Sequence, residues 1–281
     1  VTDGPALTPV AASALALEAG LLAAGVWLWW RCLLCPAARA RPAPVRLAPW
    51  PIVGSDFILL LIVAMLGACF VSAAAGLLLR LHPLGPDAAL VLGGGALHLG
   101  VLGGLALYYH HFRREPPSPR PALAEAWRTG LVTCLIALPL VLAVGRGAEA
   151  LVRACGLPDD QQELVDLLEH THSIAIRTGL VVVATLIVPI TEELVFRAGL
   201  YRYFRTRMPR GLALGGTALL FGSLHVDWVH LSGLSSLLPL TALAVIFSLA
   251  YERTGNIGTT MVAHALFNLN TFVLVFTGAG S

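Results

Sequence analysis

Residues 56–79 read DFILLLIVAMLGACFVSAAAGLLL. After Asp56 this run carries no acidic or basic side chain. A helix rises 1.5 Å per residue, so about 20 apolar residues cross a hydrocarbon core about 30 Å thick. The run is therefore read as a spanning helix. Outward from it the pattern recurs: Val10 to Leu34 before it, then Asp87 to Tyr109, Leu123 to Val144, and a run starting near Ile174 that continues past Pro189. Leu212 to His225, Leu234 to Tyr251 and Ile257 to Phe276 follow, with the sixth of the eight the shortest. The first run lacks a basic leading region and is too long for a signal-peptide core. The expectation is an all-α integral membrane protein with about eight transmembrane helices.

Composition agrees. Of 281 residues 57% are apolar and only 12% charged, which excludes a disordered chain and an ordinary cytosolic enzyme. A net charge of +2, with no basic patch interleaved with aromatics, argues against a nucleic-acid partner. Five cysteines do not suggest a disulfide framework, and Cys32-x-x-Cys35 ends a hydrophobic run rather than sitting in a redox motif. The H-E-x-x-H zinc signature is absent.

The basic residues, all arginine, set an orientation. If every run crosses, 14 of the 18 fall on one side, and only Arg80, Arg146, Arg153 and Arg177 on the other. The positive-inside rule then makes the arginine-rich loops cytoplasmic and puts both termini outside. Three regions follow: N-terminal transmembrane helices (1–150) whose role no motif assigns, an acidic outer loop (151–172) with a short amphipathic helix and the pair His170 and His172, and a C-terminal core (173–281). Gly100 and Gly104 form a G-x-x-x-G, expected to let helices approach closely in lipid. His98 in the same run is read as a packing histidine.

Ionisable groups inside a span are functional candidates by default. The first half offers Glu18 and His98. The second offers Glu192, Glu193, Arg197, His225, His264 and Asn268. Measured from the nearest arginine anchors, Glu192 lies about 15 Å deep, His225 about 22 Å, His264 about 16 Å and Asn268 about 22 Å. A single buried histidine is ordinarily structural, but three helices delivering polar groups to one level is not a chance pattern. Glu193 and Arg197 share a helix face and can pair. Glu192 is left without a cation on its own helix, which suits a general base. Pro189 should kink the helix beside it. His264 and Asn268 share a face and could both donate to a developing oxyanion. Phe221, one turn before His225, can wall the cavity.

Glu192-Glu193-Leu-Val-Phe-Arg197 fits E-E-x-x-x-R, Phe221-Gly-Ser-Leu-His225 fits F-x-x-x-H, and His264-Ala-Leu-Phe-Asn268 fits H-x-x-x-N. In this order on successive helices, they resemble the CAAX-protease and bacteriocin-processing (Rce1-like, Abi) family of intramembrane endopeptidases. The resemblance covers roughly residues 174–276 and implies a catalytic core in the C-terminal four helices, with a water-filled cavity open to membrane and cytosol. It implies that Glu192 activates water with help from His225, that His264 and Asn268 bind the oxyanion, and that Glu193 and Arg197 hold the helix. The implied partner is a membrane-anchored or lipidated peptide within the bilayer. No cofactor is required in this reading. Glu192, His225 and His264 would otherwise make a three-ligand zinc site with one open position. A non-catalytic scaffold or immunity-type protein, and a Glu/His proton-relay transporter, are the competing readings.

Overall fold

The structure, a computed structural model, describes residues 8–40, 44–112, 123–157, 171 and 173–279. The amphipathic helix expected in the acidic loop, His170 and His172 lie outside the described residues. Eight helices carry the fold: α1 (Pro9–Trp29), α2 (Gly54–Leu81), α3 (Pro86–His111), α4 (Leu123–Ala154), the composite α5 (Ile174–Arg205), α6 (Arg210–Ser223), α7 (Leu237–Thr254) and α8 (Ile257–Thr277). No strand longer than the isolated bridge Asp227–Ser232 occurs among the described residues. The chain is an all-α, multi-pass integral membrane protein.

Seven of these helices are long and apolar enough to cross a bilayer unaided. The run expected as the sixth span is the exception: α6 has 14 residues, about 21 Å of helix. Gly222 ends it against α7, where a Cβ would press on Thr241 and the Leu237 carbonyl. The chain then turns through Asp227, whose carboxylate accepts from the N–H groups of Val229 and His230 and from the His230 ring. That ring contact first, and the two backbone N–H groups after it, hold the exposed Asp227 carboxyl below the usual carboxylate range. α6 still runs the same way as a span, because it packs along α7 and their far ends meet at Glu252.

α4 is the central post, with α1, α7 and α8 packed round it. Cys134, Ala137, Leu138 and Val141 of α4 meet Leu243 and Phe247 of α7 and Ala263 of α8. Pro139 has no N–H to give the Leu135 carbonyl one turn back. At that point Gly25 lets α1 come close, since a Cβ there would meet the Leu135 carbonyl and the Pro139 ring. Trp29 donates its indole N–H to the Ile136 carbonyl at 2.8 Å.

α2 and α3 form a hairpin sealed on its other side by α5, through Phe57, Leu60, Leu105 and Tyr108 against Leu194 and Tyr203. Here the G-x-x-x-G acts as expected. A Cβ on Gly100 would strike the Gly67 carbonyl, and one on Gly104 the Val63 carbonyl.

One end of the bundle is tied by arginines. Glu252, buried at the end of α7, accepts from Arg205 at 2.6 Å and from Arg210 at 2.7 Å. Its backbone carbonyl takes the N–H groups of Arg46 and Leu47. Arg202 donates to Ala48 and Pro49, and Arg207 to Trp50 and Ile52, so the extended 44–53 segment is clasped there.

Gly100→Ala should destabilise the protein by about 1–3 kcal/mol, because the hairpin must spread to admit the methyl group. Gly103→Ala, with nothing within 4 Å of its added methyl, should be neutral or slightly stabilising. Thermal unfolding of both variants in one detergent checks the contrast.

Candidate active site

The site is built on an irregular stretch of α5. After Ile174–Val182 the helix widens to π geometry over Val183–Ile187, returns to α over Val188–Glu192 and widens again over Glu193–Tyr201. Pro189 was expected to kink this helix. Its missing donor falls at the first wide turn. In that turn the Val188 N–H reaches the Val183 carbonyl, five residues back. The next donor in this register would be Pro189, aimed at Ala184, and proline has none. The amide of Asn268 on α8 fills the gap and donates to the Ala184 carbonyl at 2.7 Å.

One residue pair seals the middle of the bundle. Glu193 and Arg197 are 0% and 1% exposed and meet at 2.9 Å. Two charges in so dry a place persist only when paired and hydrogen-bonded. Glu193 has a second donor: His264 Nδ1 stands 2.9 Å from the same Oε1. The Arg197 guanidinium lies 4.5 Å over the Phe221 ring and 5.5 Å over that of Phe247.

These bonds fix both imidazoles. A carboxylate only accepts, so the His264 proton sits on Nδ1. His225 Nδ1 is 2.8 Å from the Phe221 carbonyl, which also only accepts. Both Nε2 atoms therefore turn to Glu192: His225 lies 3.9 Å from Oε1 and His264 3.8 Å from Oε2. The carboxylate bonds neither ring, and its Oε2 is buried without a hydrogen-bond partner. The gap suits a water molecule held by the three groups.

Thus Glu192, His225 and His264 converge from α5, the end of α6 and α8, with Phe221 against the His225 ring at 4.8 Å between centroids. Asn268 comes to the same wall but spends one amide hydrogen on Ala184. The clamp is a three-membered unit of Glu193, Arg197 and His264, where the sequence suggested a pair. The set of one carboxylate and two Nδ1-anchored imidazoles has the donor chemistry of a divalent-metal site. No group of three or more His, Cys, Asp or Glu among the described residues stands in formed ligand geometry.

The cluster forms the floor of a cavity of about 530 Å³, mostly apolar. Its walls include Glu18 of α1 and Leu138, Val141 and Leu142 of α4, contributions from the N-terminal half that no motif marks. His98 of α3, expected to be a bonded packing residue, has a buried Nδ1 with no partner and lies within electrostatic reach of Glu192. Its position inside a span was the only hint.

Fold and site together define a multi-pass helical membrane protein that carries a carboxylate–imidazole cluster at the floor of an intramembrane cavity. Residues 175–270 match the family model of type II CAAX prenyl endopeptidases, Rce1-like. That segment holds every residue of the cluster and its clamp. It is similar to the Rce1-like family, in keeping with a resemblance to the CAAX-protease and bacteriocin-processing proteins. No curated protein and no solved structure gives a significant match.

Asn268→Ala should cost about 1–3 kcal/mol by leaving the Ala184 carbonyl unsatisfied. Pro189→Ala restores a backbone donor, so the double variant should be more stable than Asn268→Ala alone. A double-mutant cycle on unfolding free energy reads this coupling directly.

Proposed function

We propose that the protein is an intramembrane endopeptidase that hydrolyses peptide bonds of membrane-anchored or lipidated substrates with a water activated by Glu192. The observation that carries this reading is the free carboxylate of Glu192 facing two imidazole Nε2 atoms at 3.8 and 3.9 Å, at the floor of a cavity. A scaffold has no use for an unbonded carboxylate oxygen in that position.

Glu192 takes a proton from the water as it attacks the scissile carbonyl carbon, and returns it to the leaving amine. His225, its ring held by the Phe221 carbonyl, orients that water through Nε2. The carbonyl oxygen becomes negative and needs donors. His264, when both its nitrogens carry protons, supplies one through Nε2, its ring held by Glu193 at 2.9 Å from Nδ1. The second amide hydrogen of Asn268 is the other. Glu193 and Arg197 act as positioning residues.

One alternative rests on donor chemistry alone, since no group of three or more His, Cys, Asp or Glu among the described residues is placed to hold a metal ion. Glu192, His225 and His264 would hold a divalent metal, which supplies Lewis-acid polarisation of the carbonyl and a more acidic water. In the preferred reading the chain needs none.

Glu192→Gln and His225→Ala should each lower cleavage of a peptide released from membranes of the native host by about 10²-fold or more, as loss of general-base catalysis does. Both proteins should still insert and unfold near the wild-type temperature. Wild-type cleavage by both variants would refute the proposal. Treatment with a strong chelator, followed by metal analysis, should leave activity intact, whereas loss restored by zinc would favour the metal reading.

A further inference from the structure

The packed face of α1 carries one acid. Ala11, Ala14 and Gly25 are buried on that helix, and Leu21 and Leu22 pack against the core of α4, α7 and α8. Leu17, Val26 and Trp27 are more than half exposed and form another face. Glu18 stands one turn after Ala14 and one turn before Leu22, so it belongs to the packed face. There it lines the same cavity as Glu192, together with Leu138, Val141 and Leu142 of α4.

The Glu18 carboxylate has no use in the chemistry of the cluster. Its Oε2 is buried without a hydrogen-bond partner among the described residues. Arg146, the arginine of the cavity wall, is already taken, since Glu149 holds it at 3.2 Å. The two histidines of the wall turn their Nε2 atoms to Glu192. An acid inside a span is costly and marks a site by default. Left without a partner it lowers stability, a cost characteristic of groups that wait for a ligand.

The surroundings define the missing partner. A carboxylate only accepts, so the partner donates. A neutral N–H would leave the charge uncompensated in a mostly apolar space. A hydrated metal cation needs several oxygen ligands and has no apolar surface to offer the walls. A lysine or arginine side chain meets both demands, with a charged head for Glu18 and an aliphatic stem for Leu138, Val141 and Leu142.

We propose that Glu18 is a specificity-determining residue whose carboxylate receives a basic side chain in the cavity, so that the peptides this chain takes carry a lysine or arginine within an otherwise apolar segment. This rests on the endopeptidase reading for what becomes of the bound peptide, but not for its binding. It also gives the N-terminal half a part in the site: α1 supplies the charge that selects, and the C-terminal helices supply the groups that react.

The test uses the full chain purified in one detergent and two fluorescent peptides as probes. One is a short run of leucine and alanine with a central lysine, and the other has norleucine in its place. Both are capped at their termini, so the lysine is the only charge that differs. Binding is read by anisotropy, and unfolding temperature in parallel. The wild-type chain should bind the lysine peptide about 10-fold or more tightly than the norleucine peptide, as a desolvated charge pair does. Glu18→Gln should bind the two alike. It should also unfold at or above the wild-type temperature, because an uncompensated charge has gone; a structural acid would give the opposite shift. Equal or absent binding of the two peptides by the wild-type chain, a lysine preference that survives in Glu18→Gln, or unfolding of Glu18→Gln well below the wild type would each overturn the proposal. Binding is read without turnover, so its failure leaves the peptidase reading intact. Wild-type cleavage by Glu192→Gln would refute that reading and leave the role of Glu18 standing.

Discussion

The structure depends on one carboxylate oxygen. Glu193 Oε1, without solvent exposure, accepts at 2.9 Å both from Arg197 on its own helix and from His264 on α8. Removing a single partner from such a buried set costs about 3–5 kcal/mol, because the remaining charge has no water to turn to. The same oxygen decides which nitrogen of His264 faces the cavity. Stability and chemistry therefore meet in one atom: the bond that locks α5 to α8 also aims the imidazole at Glu192.

Around this lock the backbone is adjusted rather than regular. Two wide turns in α5, one proline and one asparagine combine so that Ala184, Val188 and Glu192 all reach the cavity. The proline removes a donor, and an amide from another helix supplies it. Asn268 therefore has a structural duty that limits it to one free amide hydrogen for any oxyanion.

Much of this was legible from the chain. Apolar runs of about 20 residues announce spanning helices because lipid leaves a chain no cheaper way to satisfy its backbone. Glu193 and Arg197 were readable as a pair, since four residues is one helical turn. The small residues at Gly100 and Gly104 marked a close helix contact, which α2 supplies. What the chain concealed was rotation and distance. Helical spacing cannot say that His264 turns Nδ1 to Glu193, that Asn268 reaches Ala184, or that Pro189 falls at a wide turn. It also could not show that α6 stops at Ser223 and leaves His225 on the turn beyond the helix. Leu138 and Val141 became cavity walls only because α4 is the central post, a long-range fact with no local signature.

The sealed layer beneath the cluster has an electrical consequence. A membrane voltage acts across the dry layer of Glu193, Arg197 and their neighbours, each at most 1% exposed. A field of 100 mV acts on a unit charge with about 2.3 kcal/mol, but it acts oppositely on the two halves of a salt bridge. The clamp thus presents that field with a neutral pair. A cell could keep its membrane energised with this chain in it, because the layer that holds the reactive groups in place is also the insulator.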